Sequence, residues 1–248
     1  MIFFLYISVI SICMYIFLVA LQLNFVLAGV FTTCIGVSFF LVSFYTQQKA
    51  FLKILDEKCD PKRFLEIMNK QKKRFKRDKK MVNIAEYNSA VSYMLLGKTQ
   101  EAKDCILGID TDLFFTNKKN AIIYVINLIL CYYELGEIEE AESLYEENLE
   151  KIKDNKYGLD KNVEILSGVR YYFLKQFDQS YEVLESLLSS ELSTRLYLGV
   201  LFYLAKMDQQ KGNVELAKNR FHEVAKKGNT LWIAQEAKQI LNNQLALL

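Results

Sequence analysis

The sequence predicts an all-α protein, with an N-terminal hairpin of two transmembrane helices followed by an α-solenoid of about four helix pairs and a C-terminal capping helix. Three observations support this prediction. Residues 1–45 contain no Lys, Arg, Asp, Glu or His. The 248-residue chain has one proline and ten glycines, a composition that favours long helices. From residue 82 onward, one pattern recurs with a spacing of 37 to 39 residues.

The apolar segment, residues 1–45, is long enough for two membrane spans. About 20 helical residues cross a bilayer, and residues 2–21 and 25–45 each reach that length on either side of the short polar stretch 22–24. The lysines that follow predict cytoplasmic N- and C-termini, and hence an integral membrane protein of the plasma membrane. The alternative, a cleaved signal peptide, requires a positively charged start and a shorter apolar run.

Residues 46–80 form a basic neck that carries thirteen Lys or Arg and five Asp or Glu residues. Within it, Asp60-Pro61 predicts a helix start, because Asp caps free N–H groups and Pro fits the first helical position. Anionic lipid attracts such a cluster. The predicted lipid contacts are Lys70, Lys72, Lys73, Arg74, Lys76 and Arg77. An alternative is that the charges only fix topology on a solvated helix face. Nucleic acid is not an expected partner, because only Phe75 interleaves the charges.

Residues 81–248 are predicted to form the repeat domain. Gly97, Gly136, Lys175 and Gly212 occupy one position of the repeat, where a left-handed residue would end the first helix of each pair. A small residue stands five positions after this landmark in all four units and seven positions before it in three, with Ile129 as the exception, which lets paired helices approach closely. One pair cannot bury its apolar face alone, so several must stack.

The pattern resembles the tetratricopeptide repeat (TPR) family. It is carried by Tyr93…Gly97…Glu101-Ala102, Tyr132…Gly136…Glu140-Ala141 and Gly212…Ala217…Phe221. The usual period of that family is about 34 residues, so longer turns or extra helices are expected between the pairs. Lys175 departs from the family's glycine. Residues 230–246 predict the last amphipathic helix, which would cap the solenoid.

The resemblance implies that the first helix of each pair lines a concave, partner-binding groove. The residues predicted to line it are Tyr87, Val91, Met94, Ile126, Leu130, Tyr133, Ile165, Val169, Tyr172, Phe173 and Phe202. This mostly apolar wall would suit the apolar face of an amphipathic helix. In the alternative, the chain fills the wall itself, either with the neck helix at residues 61–75 or by tight superhelical closure.

Nothing in the sequence predicts catalysis. His222 is the only histidine, and no residue pattern supplies it with a partner. The five cysteines have no metal-ligand spacing, and the acidic run at residues 137–147 is typical of a solvated helix face. We therefore expect no catalytic residue, metal or cofactor. The expected function is a scaffold or adaptor that holds a cytoplasmic protein or helical peptide at the membrane. The alternative is an accessory or regulatory subunit that acts through its transmembrane hairpin.

Overall fold

The computed structural model describes residues 14–16, 25–115, 118–153 and 158–245. The chain divides into two compact units, residues 1–53 and residues 54–248. The first helix, α1, runs from Phe25 to Asp56. In the first unit, the hydroxyl groups of Thr32 and Thr33 donate to backbone carbonyls of α1, each over 2.8 Å to the carbonyl four residues earlier.

The predicted membrane localisation is wrong. It rested on two unbroken apolar runs of span length, whereas no helix in the part of the chain that the structure describes combines that length with enough apolar side chains to cross a membrane. The first predicted span, residues 2–21, lies outside the described residues except for the helical residues 14–16. Residues 25–45, the second predicted span, belong to α1, which exposes Val26, Leu27, Val30, Phe31, Ile35, Val37, Phe39 and Val42.

The prediction of an all-α fold is confirmed for the described residues, which contain no β-strand. After α1 the helices are α2 Pro61–Arg74, α3 Lys79–Leu95, α4 Thr99–Leu107, α5 Thr111–Phe114, α6 Lys118–Leu135, α7 Ile138–Glu147, α8 Leu149–Lys153, α9 Asp160–Phe173, α10 Phe177–Leu187, α11 Thr194–Gln210, α12 Val214–Lys227 and α13 Trp232–Leu245.

Four successive helix pairs make up most of the second unit: α3 with α4, α6 with α7, α9 with α10, and α11 with α12. The short helices α5 and α8 lie between pairs and lengthen the repeat. Asn83 of α3 holds the start of α5, because its amide donates to the Asp110 carbonyl over 2.8 Å and accepts from the Asp110 N–H over 2.9 Å.

The turn inside each pair has the predicted left-handed residue. The φ angles are +75° at Gly97, +77° at Gly136, +61° at Lys175 and +80° at Gly212. The N–H after Gly97 donates to the Tyr93 carbonyl over 2.9 Å, and the same bond recurs at the other three turns. These bonds close the end of each first helix, as in a Schellman motif. Lys175 adopts this conformation at an expected cost of about 1 kcal/mol relative to glycine.

Small residues allow the paired helices to pack closely, as the pattern predicts. Ala90, Ala102, Ala141 and Ala205 are fully buried. Gly168 marks the closest approach, because a Cβ atom there would lie 2.5 Å from a methyl group of Leu184. Burial of such apolar surface stabilises the unit by about 25 cal/mol per Å².

Helix α2 begins where the sequence predicts. The Asp60 carboxylate accepts from the Arg63 N–H over 3.1 Å, and Pro61 is the first helical residue. The helix packs against α3 and buries Phe64 and Met68. The basic neck is therefore part of the second unit's core on one face.

Two arginines tie neighbouring pairs together. Arg170 of α9 donates to Glu142 of α7 over 2.8 Å, and Tyr133 of α6 donates to the same carboxylate. Arg220 of α12 reaches Glu185 of α10 over 2.6 Å and also bonds Asp208. Partly buried, charge-assisted bonds of this kind fix the register of one pair on the next.

Candidate functional site

The two ends of the second unit meet. The Arg195 guanidinium at the start of α11 donates to the Asp56 carboxylate over 2.9 Å. The Thr230 N–H donates to the Cys59 carbonyl over 3.2 Å, and the Cys59 side chain is buried with residues of α11 to α13. We call this group the terminal clasp. It comprises Asp56, Lys58, Cys59, Asp60, Arg195, Asn229 and Thr230.

A second contact closes the concave side of the unit. Trp232, the first residue of α13, lies against Gly97 in the turn after α3, where an added Cβ would be 2.9 Å from the Trp232 Cβ. Leu95 packs on the same hydrophobic cluster as Leu231 and Trp232. The C-terminal helix therefore occupies space beside the first helix pair, as superhelical closure requires.

The residues predicted to line the concave groove are divided between the core and the surface. Its residues Tyr87, Ile126, Tyr133, Val169 and Phe202 are buried. The other predicted residues, Val91, Met94, Leu130, Ile165, Tyr172 and Phe173, are partly exposed. The closing contacts match the predicted alternative of tight superhelical closure.

What remains of the concave space is a central cavity of about 160 Å³. Its wall is formed by Met94, Leu95, Thr99, Leu130, Glu134, Ile165, Val169, Arg195, Leu196, Gly199, Tyr203, Leu231, Trp232 and Ile233. Most of these side chains are apolar. An ideal Cβ atom on Gly199 would meet no atom within 4 Å.

Glu134 is the acidic group of the central cavity. Burial raises its pKa, while a hydrogen bond from the Tyr203 hydroxyl and the nearby Lys206 ammonium oppose that rise. Lys206 is itself paired with Glu236 over 3.0 Å. The second oxygen of Glu134, Oε2, has no hydrogen-bond partner among the described residues.

A larger groove of about 570 Å³ opens on α4, α6 and α7, and we call it the outer groove. Its wall is formed by Leu107, Leu128, Tyr132, Glu139, Glu140, Ser143, Leu144 and Glu147. Leu107 is 53% exposed although leucine is apolar. The groove thus combines an apolar floor with acidic walls.

The acidic charges of the outer groove are available to a partner. Glu139 and Glu140 are exposed and make no ion pair in the part of the chain that the structure describes. Neighbouring Glu137, by contrast, binds Lys103 over 2.7 Å. That hydrogen bond raises the pKa of Lys103 and keeps its charge in place above the Tyr132 ring.

The predicted lipid-contact residues lie at the end of α2 and in the turn after it. Lys70, Lys73, Arg74, Lys76 and Arg77 are exposed. The sixth predicted residue is turned inward: the Lys72 ammonium lies 3.1 Å from the Glu86 carboxylate of α3. Five of the six predicted cations therefore face solvent.

His222 is exposed on α12. No cluster of three or more His, Cys, Asp or Glu residues could hold a metal ion in the described ranges. Burial raises the pKa of Cys131 to about 12 and that of Cys59 to about 11, so neither thiol is an activated nucleophile.

One further cavity, of about 580 Å³, is lined by Phe115, Lys118, Ile122 and Ile152 among others.

Sequence reasoning missed both the outer groove and the terminal clasp. The sequence signal that could have found the groove is the adjacent apolar pair Ile106-Leu107, because two consecutive residues of a helix point in different directions and Leu107 is the one left exposed. Known protein families, curated proteins and solved structures were all compared with the chain, and none matched. The resemblance to tetratricopeptide repeats therefore stays a prediction.

Proposed function

We propose that this chain is a non-catalytic, TPR-like interaction module that binds a protein partner through the outer groove. The observation that carries the proposal is the open, apolar groove between neighbouring helix pairs, with Leu107 exposed on its rim. Grooves on the surface of stacked helix pairs are where repeat proteins commonly bind their partners.

The partner that fits is a basic amphipathic helix. Leucines spaced one helical turn apart would pack on Leu107 and the partly exposed Leu144, above the buried Leu128, which is the helix-in-groove mode. Lysines or arginines beside them would meet Glu139 and Glu140, whose charges are unpaired within the described chain. The outer groove therefore matches a partner in both polarity and charge.

The concave groove predicted from the sequence supports this role less well. Tyr133 is buried and donates to Glu142, so it is part of the core rather than of a free wall. A Tyr133→Lys, Tyr172→Lys double substitution is expected to destabilise the unit by several kcal/mol through buried charge. The other function considered, a subunit acting through membrane spans, has no span in the described residues on which to rest.

The test uses the full chain and a fluorescein-labelled helical peptide with leucines at positions i, i+4 and i+7 between lysines. Fluorescence anisotropy is expected to show saturable binding that weakens as salt is raised. Leu107→Gln should weaken binding by about tenfold or more. Val214→Gln is the matched control, because Val214 is also 53% exposed but lies on α12, outside the groove.

The charge half of the proposal has its own control. Glu139→Gln with Glu140→Gln should reduce both the affinity and its salt dependence. Glu182→Gln with Glu215→Gln removes two exposed acids elsewhere and should change neither. The proposal is wrong if the peptide binds Leu107→Gln as tightly as the unmodified chain, or if a peptide with glutamates in place of the lysines binds equally well.

The basic neck is a second candidate site, favoured by its five predicted lipid-contact cations that face solvent. Its predicted partner is anionic lipid, with about 1 kcal/mol expected per basic residue near the surface. Co-sedimentation with phosphatidylserine vesicles tests it: Lys73→Gln with Lys76→Gln should lower the bound fraction. Binding that is unchanged by this pair, or equal on neutral vesicles, would refute the lipid contact.

A further inference from the structure

Gly199 is in the interior of α11, where glycine is a poor choice. Glycine costs a helix interior about 0.5–1 kcal/mol relative to alanine, so a packing reason is expected. Gly168 has such a reason, because Leu184 fills the space of its missing side chain. Gly199 has none within the unit: an added Cβ would meet no atom within 4 Å. Its missing side chain instead enlarges the central cavity.

The size and lining of the cavity define what could fill it. About 160 Å³ is close to the apolar cavity of roughly 150 Å³ that binds benzene in an engineered protein, so one aromatic ring with a short substituent fits. Leu130, Ile165, Leu196 and Trp232 provide apolar wall for a ring. A polar residue in such a site fixes the orientation of a ligand.

The polar groups of the cavity define the substituent. The Arg195 guanidinium is already neutralised by Asp56, which leaves no free cation for an acidic ligand. Lys206 is likewise paired with Glu236. Glu134 is the acceptor with capacity left, since Tyr203 donates to Oε1 alone. A ligand with a hydrogen-bond donor, preferably a cationic one, would use the remaining oxygen.

We propose that the central cavity is a binding site for a small aromatic amine, with its ring beside Gly199 and its ammonium on Glu134. This site is separate from the outer groove. The ring fills the space that Gly199 leaves, and the ammonium compensates the partly buried carboxylate. Trp232 of α13 forms one wall of the cavity and would contact the ring.

Isothermal titration of the full chain with 2-phenylethylamine, 2-phenylethanol and phenylacetate tests the proposal. The amine is expected to bind saturably, and at least about tenfold more tightly than phenylacetate. Gly199→Leu should abolish amine binding while the circular dichroism spectrum and melting temperature are kept, because the leucine fills the cavity. Glu134→Gln should weaken the amine about tenfold or more and leave the alcohol unchanged.

Val214→Leu, a substitution on the surface of α12, is the control and should leave every affinity unchanged. If Gly199→Leu fails to fold, Gly199→Ala takes its place and should weaken the amine measurably. The proposal is overturned if the amine shows no saturable binding to the unmodified chain. It is equally overturned if Gly199→Leu binds the amine normally, or if phenylacetate binds more tightly than the amine.

Discussion

Two helix-interior glycines should respond in opposite directions to the same substitution. Gly168 and Gly199 each lie inside a long helix, so alanine gains about 0.5–1 kcal/mol of helix propensity at both positions. At Gly199 the new methyl group meets nothing within 4 Å. Gly199→Ala is therefore expected to raise the free energy of unfolding by the full propensity gain.

At Gly168 the methyl group has no room. It would lie 2.5 Å and 2.6 Å from two carbons of Leu184, a side chain fully buried among α10 and α11 residues. The backbone cannot easily retreat, because the Gly168 carbonyl accepts from the buried Ser180 hydroxyl over 2.8 Å. Overpacking of this kind costs about 1–3 kcal/mol. After the propensity gain, Gly168→Ala should destabilise the chain by about 1–2 kcal/mol.

Urea unfolding of the full chain, followed by circular dichroism at 222 nm, measures both free energies. The two variants are expected to differ by about 1.5–3 kcal/mol, which corresponds to melting temperatures separated by several degrees in a unit of this size. The packing argument fails if both substitutions stabilise the chain, or if Gly199→Ala is the more harmful of the two.

Two further predictions concern the contact of Trp232 with Gly97 and the ionisation of Glu134. Gly97→Ala and Gly136→Ala both force alanine to a φ near +75°, at about 1–2 kcal/mol, but only the first pushes on Trp232. Gly97→Ala should therefore lower the free energy of unfolding more than Gly136→Ala does. Because Trp232 is the one tryptophan, its fluorescence emission should also shift to longer wavelength in Gly97→Ala. Equal emission spectra for the two variants would contradict the contact between Trp232 and Gly97. Burial raises the pKa of Glu134 above its ordinary 4.5, so its ionisation penalises the folded state increasingly as pH rises through the raised value. Glu134→Gln should therefore gain stability relative to the unmodified chain as the pH is raised above 4.5, the ordinary pKa of the group, and a relative gain on acidification would contradict the argument.

Structural features that depend on residues close together in the sequence could be predicted. The left-handed turns at Gly97, Gly136 and Gly212 were predicted because a glycine after an amphipathic run has one common use. Even Lys175 was predicted by position in the repeat, since the geometry of the helix pair overrides the preference of one side chain. The start of α2 at Pro61 is equally local.

The state of the concave wall could not be predicted in this way. The repeat pattern assigns residues to the inner face of each first helix. It does not specify the angle by which each helix pair is rotated relative to the next. The angle between successive pairs decides whether Tyr133 faces a groove or the core. In the structure, Tyr133 is buried and its hydroxyl donates to Glu142. The outer groove was missed for a related reason, because its walls belong to α4, α6 and α7, helices of two different repeats.

The terminal clasp joins residues that are 139 to 171 positions apart, such as Arg195 with Asp56 and Asn229 with Lys58. An open repeat array is a linear chain of neighbours, and it can fray from either end while the middle stays folded. Linking the ends removes that route, because neither terminal helix can detach without breaking contacts to both its neighbour and the opposite end. The second unit should therefore unfold as one cooperative block, and it should also fold more slowly than its mostly local helical contacts suggest, since the last contacts must wait for the whole chain to assemble.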